Sequence, residues 1–264
     1  FEPAFTIITN LLLGSRFSRP ILPASRLALL SILLTRCSNS SSLVLPELFL
    51  SYYLSSEEII KYSLIDINLF KKRLTQISYQ YQCSIIFGYP EIVGDIRYNS
   101  ALVSGLNNDF LYNHRKTFLA PNKMEQSLFS KGNNFEIFSL KQIKSSVLIC
   151  YEFEFPEIVR KIAKLGAQII FVPTALNKEF IFVANEMLKT RAFESQIVIV
   201  YANYCGDNGD QVFCGNSAIV NENGDDLIRL NEEEDFGKIE INFESQKERR
   251  KRLPYFDDLS KFEA

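Results

Sequence analysis

Ser145-Ser146-Val147-Leu148-Ile149-Cys150-Tyr151-Glu152-Phe153-Glu154-Phe155-Pro156-Glu157 is the stretch from which the rest of this chain can be placed. Val147, Leu148 and Ile149 form a short apolar, β-favouring run, which reads as a buried strand. Pro156 suits the first position of a helix, where the N–H it lacks would have no partner anyway. Ile158, Ile162 and Leu165 follow at helical spacing, and Gly166 supplies a stop. Cys150 is therefore expected at the carboxyl end of a strand, on the turn into a helix. Open α/β sheets bind ligands at that place and can present a nucleophile there. A cysteine on an apolar strand is equally at home as a core thiol, so its company matters. Working outward, Pro46-Glu47 follows the apolar run Leu43-Val44-Leu45, and Arg115-Lys116 follows a Tyr-rich segment. Each puts a charged residue beside an expected strand end. A glutamate, a lysine and a cysteine from three separated strands are the set that a thiol amide hydrolase needs.

Composition narrows the class. At 264 residues the chain has the length of one or two domains, and α/β enzymes of this size are often one. A hydrophobic share of 47% is ample for a core, while 11 Gly and 9 Pro argue against a repetitive or fibrous chain. A net charge of −2 gives no general basic field, so nucleic acid is not expected as a partner. The cysteines Cys37, Cys83, Cys150, Cys205 and Cys214 are odd in number and widely spaced, with only His114 to help them. That pattern argues against a disulfide scaffold or a metal site and fits a reducing, cytoplasmic setting; no cofactor is implied. The apolar run over residues 27–34 is too short to span a bilayer, and Thr35-Arg36-Cys37 after it is a poor cleavage site. Neither membrane insertion nor secretion is expected. The first residue is Phe1, which leaves room for a start further upstream.

Along the chain, Phe5-Thr6-Ile7-Ile8 reads as an opening strand, residues 24–37 as a helix, and residues 43–46 as a strand delivering Glu47. One helix is expected from Glu57 to Tyr81, with Ile60, Leu64, Ile67, Phe70, Leu74, Ile77 and Tyr81 at 3-to-4 spacing. Strands are expected over residues 84–88, 100–103, 168–172 and 197–201, with a helix over 180–196. Alternation puts Tyr112, His114 and Lys116 on one face. Strands close the chain over 217–220 and 238–241, with turns at Asn208-Gly209 and Asn223-Gly224. Strands alternating with helices favour βαβ units, in one sheet or two. The charge runs at 232–235 and 247–252 read as solvated surface. No internal repeat or linker is visible.

Leu45-Pro46-Glu47-Leu48-Phe49, His114-Arg115-Lys116-Thr117, and Ile149-Cys150-Tyr151-Glu152 followed by Phe155-Pro156-Glu157 resemble the three signatures of the nitrilase superfamily, in the right order. Gly166-Ala167, Pro173-Thr174-Ala175, Arg191-Ala192-Phe193-Glu194, Ala202-Asn203, Cys214-Gly215-Asn216-Ser217 and Leu253-Pro254-Tyr255 agree with it, so the resemblance covers residues 40 to 256. It implies a four-layer α-β-β-α sandwich in one domain over residues 1–264, a small-molecule amide substrate, no metal, and assembly as a homo-oligomer. In detail the chain is similar to bacterial amidases of the 5-aminovaleramide type and to related aliphatic amidases.

The resemblance also implies roles. A thiol is mostly protonated near neutrality, so it needs a base or a cation. Glu47 is the implied general base for Cys150. Lys116, with a backbone N–H at Tyr151, would stabilise charge on the carbonyl oxygen, and a thioester would form as ammonia leaves. Glu125, seven residues before Gly132, stands where the family often has a second active-site glutamate, which would accept from Lys116. Tyr53, Tyr151, Thr174, Ala175 and Glu154 are candidate substrate contacts. Glu154 stands where many members carry arginine; it either attracts an amine-bearing amide or serves the dipole of the following helix. His114 suggests a Cys–His pair or a structural histidine; Cys37, Cys83, Cys205 and Cys214 are expected in the core. Tyr52, Phe118 and Glu152 depart from a usual glycine, histidine and aspartate. Nitrile or N-carbamoyl hydrolysis would use the same triad, and a catalytically silent binding subunit is the reading from another class.

Overall fold

A computed structural model describes residues 4–9, 42–53, 55–63, 66–107 and 109–263, with the backbone alone for Ala4–Thr9 and for residue 263. The helix expected over 24–37, the apolar run at 27–34 and Cys37 lie outside the described residues. The strands are β1 (Ala4–Thr9), β2 (Ser42–Val44), β3 (Ser84–Val93), β4 (Ile96–Ser104), β5 (Phe110–Arg115), β6 (Phe138–Leu140), β7 (Ile143–Val147), β8 (Ile169–Pro173), β9 (Val198–Ala202), β10 (Cys205–Asp207), β11 (Val212–Cys214), β12 (Ala218–Val220), β13 (Asp226–Arg229) and β14 (Asp235–Glu240). Among the described residues they form two six-stranded sheets, ordered β14-β1-β2-β3-β4-β5 and β13-β12-β9-β8-β7-β6, and a ribbon of β10 and β11. Parallel pairing holds the centre of each sheet, β1-β2-β3 in one and β7-β8-β9 in the other, and antiparallel strands flank it.

The side-chain alternation of the central strands dictates how the layers stack, because successive residues face opposite sides. Val44, Ile86, Ala101 and Val103 of the first sheet meet Val147, Ile169, Phe171, Val198 and Val200 of the second in one buried cluster between the sheets. Leu43, Leu45, Ile85 and Phe87 face the other way, against Ile59, Phe70 and Leu74 of helices α1 (Ser56–Ser63) and α2 (Ile67–Tyr81). Ile170, Val172 and Ile199 likewise face Ile158, Val159, Ile162, Leu188 and Ala192, carried by helices that flank the second sheet. Strands buried on both faces read as continuous apolar runs, as Ser84-Ile85-Ile86-Phe87 and Ile169-Ile170-Phe171-Val172 do. The architecture is the four-layer α-β-β-α sandwich.

Three expectations need correction. The helix read as continuous from Glu57 to Tyr81 is two, because the Asp66 side chain accepts from the amides of Asn68 and Leu69, both at 3.0 Å, and caps α2. A capping carboxylate stops a helix even where the apolar spacing runs on. The helix after Lys178–Phe180 widens to π geometry over Val183–Met187 before the regular turns of Leu188–Ser195. The basic run at 247–252 is not all solvated. Within Glu244–Arg252, Arg249 and Gln246 are buried, and Arg250 Nη2 donates to the carbonyls of Ala167 and Gln196 at 2.9 and 3.0 Å. Gln196 caps the helix Leu188–Ser195, and Ala167 lies in the turn after the helix Pro156–Lys164, so the guanidinium ties together the two turns that lead from these helices into the second sheet. The acidic run at 232–235 is exposed as expected.

Candidate active site

The candidate residues gather where strands of both sheets end on the same side. Glu47 stands three residues past β2, and its amide donates to the Thr174 carbonyl of the other sheet at 3.3 Å. Its chain passes against Gly88 so closely that a Cβ there would fall 2.2 Å from the Leu48 nitrogen. Lys116 is the residue after β5, its amide donating to the Asn99 carbonyl at 2.8 Å. Its own carbonyl accepts from Gly132 at 2.8 Å, where a Cβ would lie 2.1 Å from the Arg115 oxygen. Glu125 lies on the short helix Lys123–Leu128, capped by the Asn122 side chain. Cys150 opens a 3-10 turn, Cys150–Glu154, that leads into the helix Pro156–Lys164. Its φ of +49° is the left-handed region, the geometry of a residue held out on a sharp strand-to-helix turn.

Lys116 lies between two carboxylates, its Nζ 2.7 Å from Glu47 Oε1 and 2.9 Å from Glu125 Oε1. All three side chains are sealed from solvent, with 0% exposure of each residue. One cation shared by two buried acids is a costly way to gain stability, since the desolvation of buried charges can exceed what their pairing returns. Further bonds hold the set. Asn99 Nδ2 donates to Glu47 Oε1 at 2.7 Å, the Tyr53 hydroxyl to Glu125 Oε1 at 2.7 Å, and the Ala120 amide to Glu125 Oε2 at 3.0 Å.

The titration of each group follows from these neighbours. Burial and the charge of Glu47 push the Cys150 thiol well up, while Lys116 and the Ala175 backbone amide draw it down. Burial also raises the Glu47 carboxyl, with Lys116 opposing and Glu125 adding to the rise. Burial would lower the Lys116 ammonium, but Glu125 and Glu47 outweigh it and raise it. A protonated thiol, a carboxylate of raised affinity for protons and a permanently charged ammonium are the components of base-assisted thiol attack.

Of the expected substrate contacts, only some present free surface. The Tyr53 hydroxyl is engaged with Glu125 and accepts from Asn122 Nδ2 at 2.9 Å. Thr174 is buried, and Ala175 offers its amide to the sulfur. Tyr151 is half-buried with its ring edge-on to Phe155, 5.1 Å between centroids. Glu154 is half-buried, and among the described residues its carboxylate has no hydrogen bond; only its backbone carbonyl accepts, from Arg191 Nη2 at 2.9 Å. Tyr52 takes φ +58°, where a glycine would be unstrained, and packs its ring on Tyr204 at 5.9 Å. Cys83, Cys205 and Cys214 are buried.

His114 is taken up by Glu152, its Nε2 2.8 Å from Oε2, and so does not serve Cys150. Glu152 also accepts from the Ile149 amide at 2.7 Å, the Thr117 amide at 2.6 Å and the Thr117 hydroxyl at 2.8 Å. The residue after Lys116 and the residue before Cys150 are thus tied to one buried carboxylate. Burial alone would raise that carboxyl, but His114 and the amides hold it below its ordinary 4.5. A carboxyl depressed on folding gives stability that is complete above its ordinary pKa and is lost as pH falls through the folded one. We expect Glu152→Gln to lose about 2–4 kcal/mol, because an amide cannot satisfy four donors. Urea unfolding should show that loss at neutrality and a narrowing gap below pH 4.5; a gap independent of pH would refute the assignment.

Sequence reasoning missed Asn99, Gly88 and Gly132. A glycine inside the apolar run of β3 was the available signal for Gly88, since it marks a close backbone approach. Asn99 carries no spacing that sets it apart.

Comparison with known proteins agrees with this geometry. The carbon–nitrogen hydrolase family model matches residues 26–251. The chain belongs to that family. A protein described as the hydrolase in the pqqF 5′ region of Pseudomonas protegens is 36% identical over 78% of this chain and 73% of its own length. The 2-oxoglutaramate amidase of Bacillus subtilis is 31% identical over 62% of this chain and 63% of its own. The crystal structure of an amidase from Nesterenkonia sp. superposes with a TM-score of 0.83 at 28% identity, covering 96% of this chain and 95% of that one. That amidase belongs to the nitrilase superfamily, and one form of it carries the acetamide moiety of fluoroacetamide on its active-site cysteine. This carbon–nitrogen hydrolase is therefore an enzyme of the nitrilase superfamily, acting on carbon–nitrogen bonds other than peptide bonds. Among its described residues no helix is long and apolar enough to cross a membrane.

Proposed function

We propose that this carbon–nitrogen hydrolase converts a small linear amide bearing a terminal ammonium, of the 5-aminopentanamide kind, into the carboxylate and ammonia. The observation that carries the chemistry is the sealed Glu47–Lys116–Glu125 set beside the Cys150 turn. Ionised Glu47 takes the thiol proton as Sγ attacks the amide carbon. Lys116 Nζ and the Tyr151 amide stabilise the oxyanion. The tetrahedral intermediate collapses when Glu47 returns the proton to nitrogen, ammonia leaves, and a thioester to Cys150 remains. Glu47 then deprotonates water, which attacks the thioester; the carboxylate departs and the thiol re-forms. Glu125, held by Tyr53 and Ala120, keeps Lys116 in place.

Glu154 supports the ammonium-bearing substrate. It sits four residues after Cys150 on the same turn, half-buried, with a carboxylate free of hydrogen bonds among the described residues. Such a group favours a cation at the far end of the acyl chain and opposes an amide that carries its own carboxylate. Glu154→Gln should lower kcat/KM for 5-aminopentanamide about tenfold and leave pentanamide unchanged. Equal effects on both amides would remove the charge-pairing reading, and ammonia released from nitriles but not amides would remove the amidase reading.

A further inference from the structure

The two oxygens of Glu47 have unlike surroundings. Oε1 accepts from Lys116 Nζ and from Asn99 Nδ2, each at 2.7 Å. Oε2 is buried and has no hydrogen-bond partner among the described residues. Asn99 lies fully buried on β4 and serves the site twice, since its carbonyl also accepts the Lys116 amide at 2.8 Å. Its side-chain orientation is dictated: Oδ1 turned toward a carboxylate would set acceptor against acceptor, so Nδ2 must face Glu47.

An oxygen that already receives two donors, one of them charged, is a poor place for a proton. The unpaired oxygen is the basic one. We propose that Asn99 is a positioning residue for the proton transfer: with Lys116 it fills Oε1 of Glu47 and leaves Oε2 as the oxygen that takes the thiol proton and returns it to the departing ammonia. This rests on Glu47 being the base, as argued above. Besides Lys116, the titratable groups that face Glu47 are Glu125, the Cys150 thiol and the Tyr53 hydroxyl. Among them the Asn99 bond favours the ionised carboxylate, against burial and the charge of Glu125.

The test uses Asn99→Ala and the nearly isosteric Asn99→Asp beside Glu47→Gln. Alkylation of Cys150 by iodoacetamide, mapped by peptide mass over a pH series, reads the proton transfer without reference to any substrate. Hydrolysis of pentanamide gives kcat and KM, and urea midpoints report folding. In Asn99→Ala the acidic limb of alkylation should move up by about one pH unit, with kcat down about tenfold and KM little changed. In Asn99→Asp the added negative charge should move the limb further in the same direction. A folded variant whose limb stays at the wild-type pH overturns the proposal. Failure of both variants to fold would assign Asn99 to the scaffold and overturn it as well. Wild-type behaviour of Glu47→Gln would instead strike the base itself, a result that the Asn99 variants cannot produce.

Discussion

Cys150→Ala should yield a folded protein with no amidase activity. The φ of +49° costs an alanine what it costs a cysteine, because both carry a Cβ, so the backbone at the turn loses nothing by the change. The side chain removed is a thiol that burial and Glu47 hold protonated, and no buried charge is left unpaired. The thermal midpoint should therefore stay within a few degrees of wild type. Turnover should fall at least about 10⁴-fold, the scale seen when a nucleophile is deleted. Intact mass after quenching with amide should show added acyl mass on the wild type, located to the peptide holding Cys150, and none on the variant. Residual activity above about a hundredth of wild type would require another nucleophile and end the thioester mechanism.

Lys116→Met is expected to damage both folding and catalysis. The ammonium stands 2.7 Å from Glu47 and 2.9 Å from Glu125, and all three residues are buried. Removing it leaves two buried carboxylates facing each other, which should cost about 3–5 kcal/mol at neutral pH. The dependence on pH has a definite sign. In the variant at least one of the two acids must bind a proton on folding, so the deficit shrinks as pH falls and grows as it rises. Catalysis should drop a further 10²- to 10³-fold, about the value of one oxyanion donor, even where the variant is fully folded. Urea titrations at several pH values check the first claim; a pH-independent deficit under about 1 kcal/mol would show that the three groups do not share charge.

Much of this was legible from residues alone, for reasons that can be named. The turn at Cys150 is written in Val147, Pro156, Ile158 and Ile162, because strand burial and helix initiation leave local marks. The candidate triad stands out in three short signatures through the family resemblance, and each of its members follows a strand end. The break before α2 was hidden because Asp66 competes with a periodicity that carries on through Ile67 and Phe70. The run 247–252, Arg249 and Arg250 included, reads as surface because a charge run gives no hint that backbone carbonyls of distant turns await it. The grip of Glu152 on His114 and Thr117, and that of Asn99 on Glu47, depend on contacts between residues 35 to 52 positions apart, which no local pattern encodes.

The amide of Glu47 reaches across to the Thr174 carbonyl, joining the end of one sheet to the end of the other. A chain in which only the second sheet has formed thus owns the sulfur of Cys150 without the acid and the ammonium, and one in which only the first has formed owns Glu47 and Lys116 without the sulfur. Turnover, which needs all three groups, would then appear only at the last stage of assembly, so that the return of activity during refolding times the docking of the two halves.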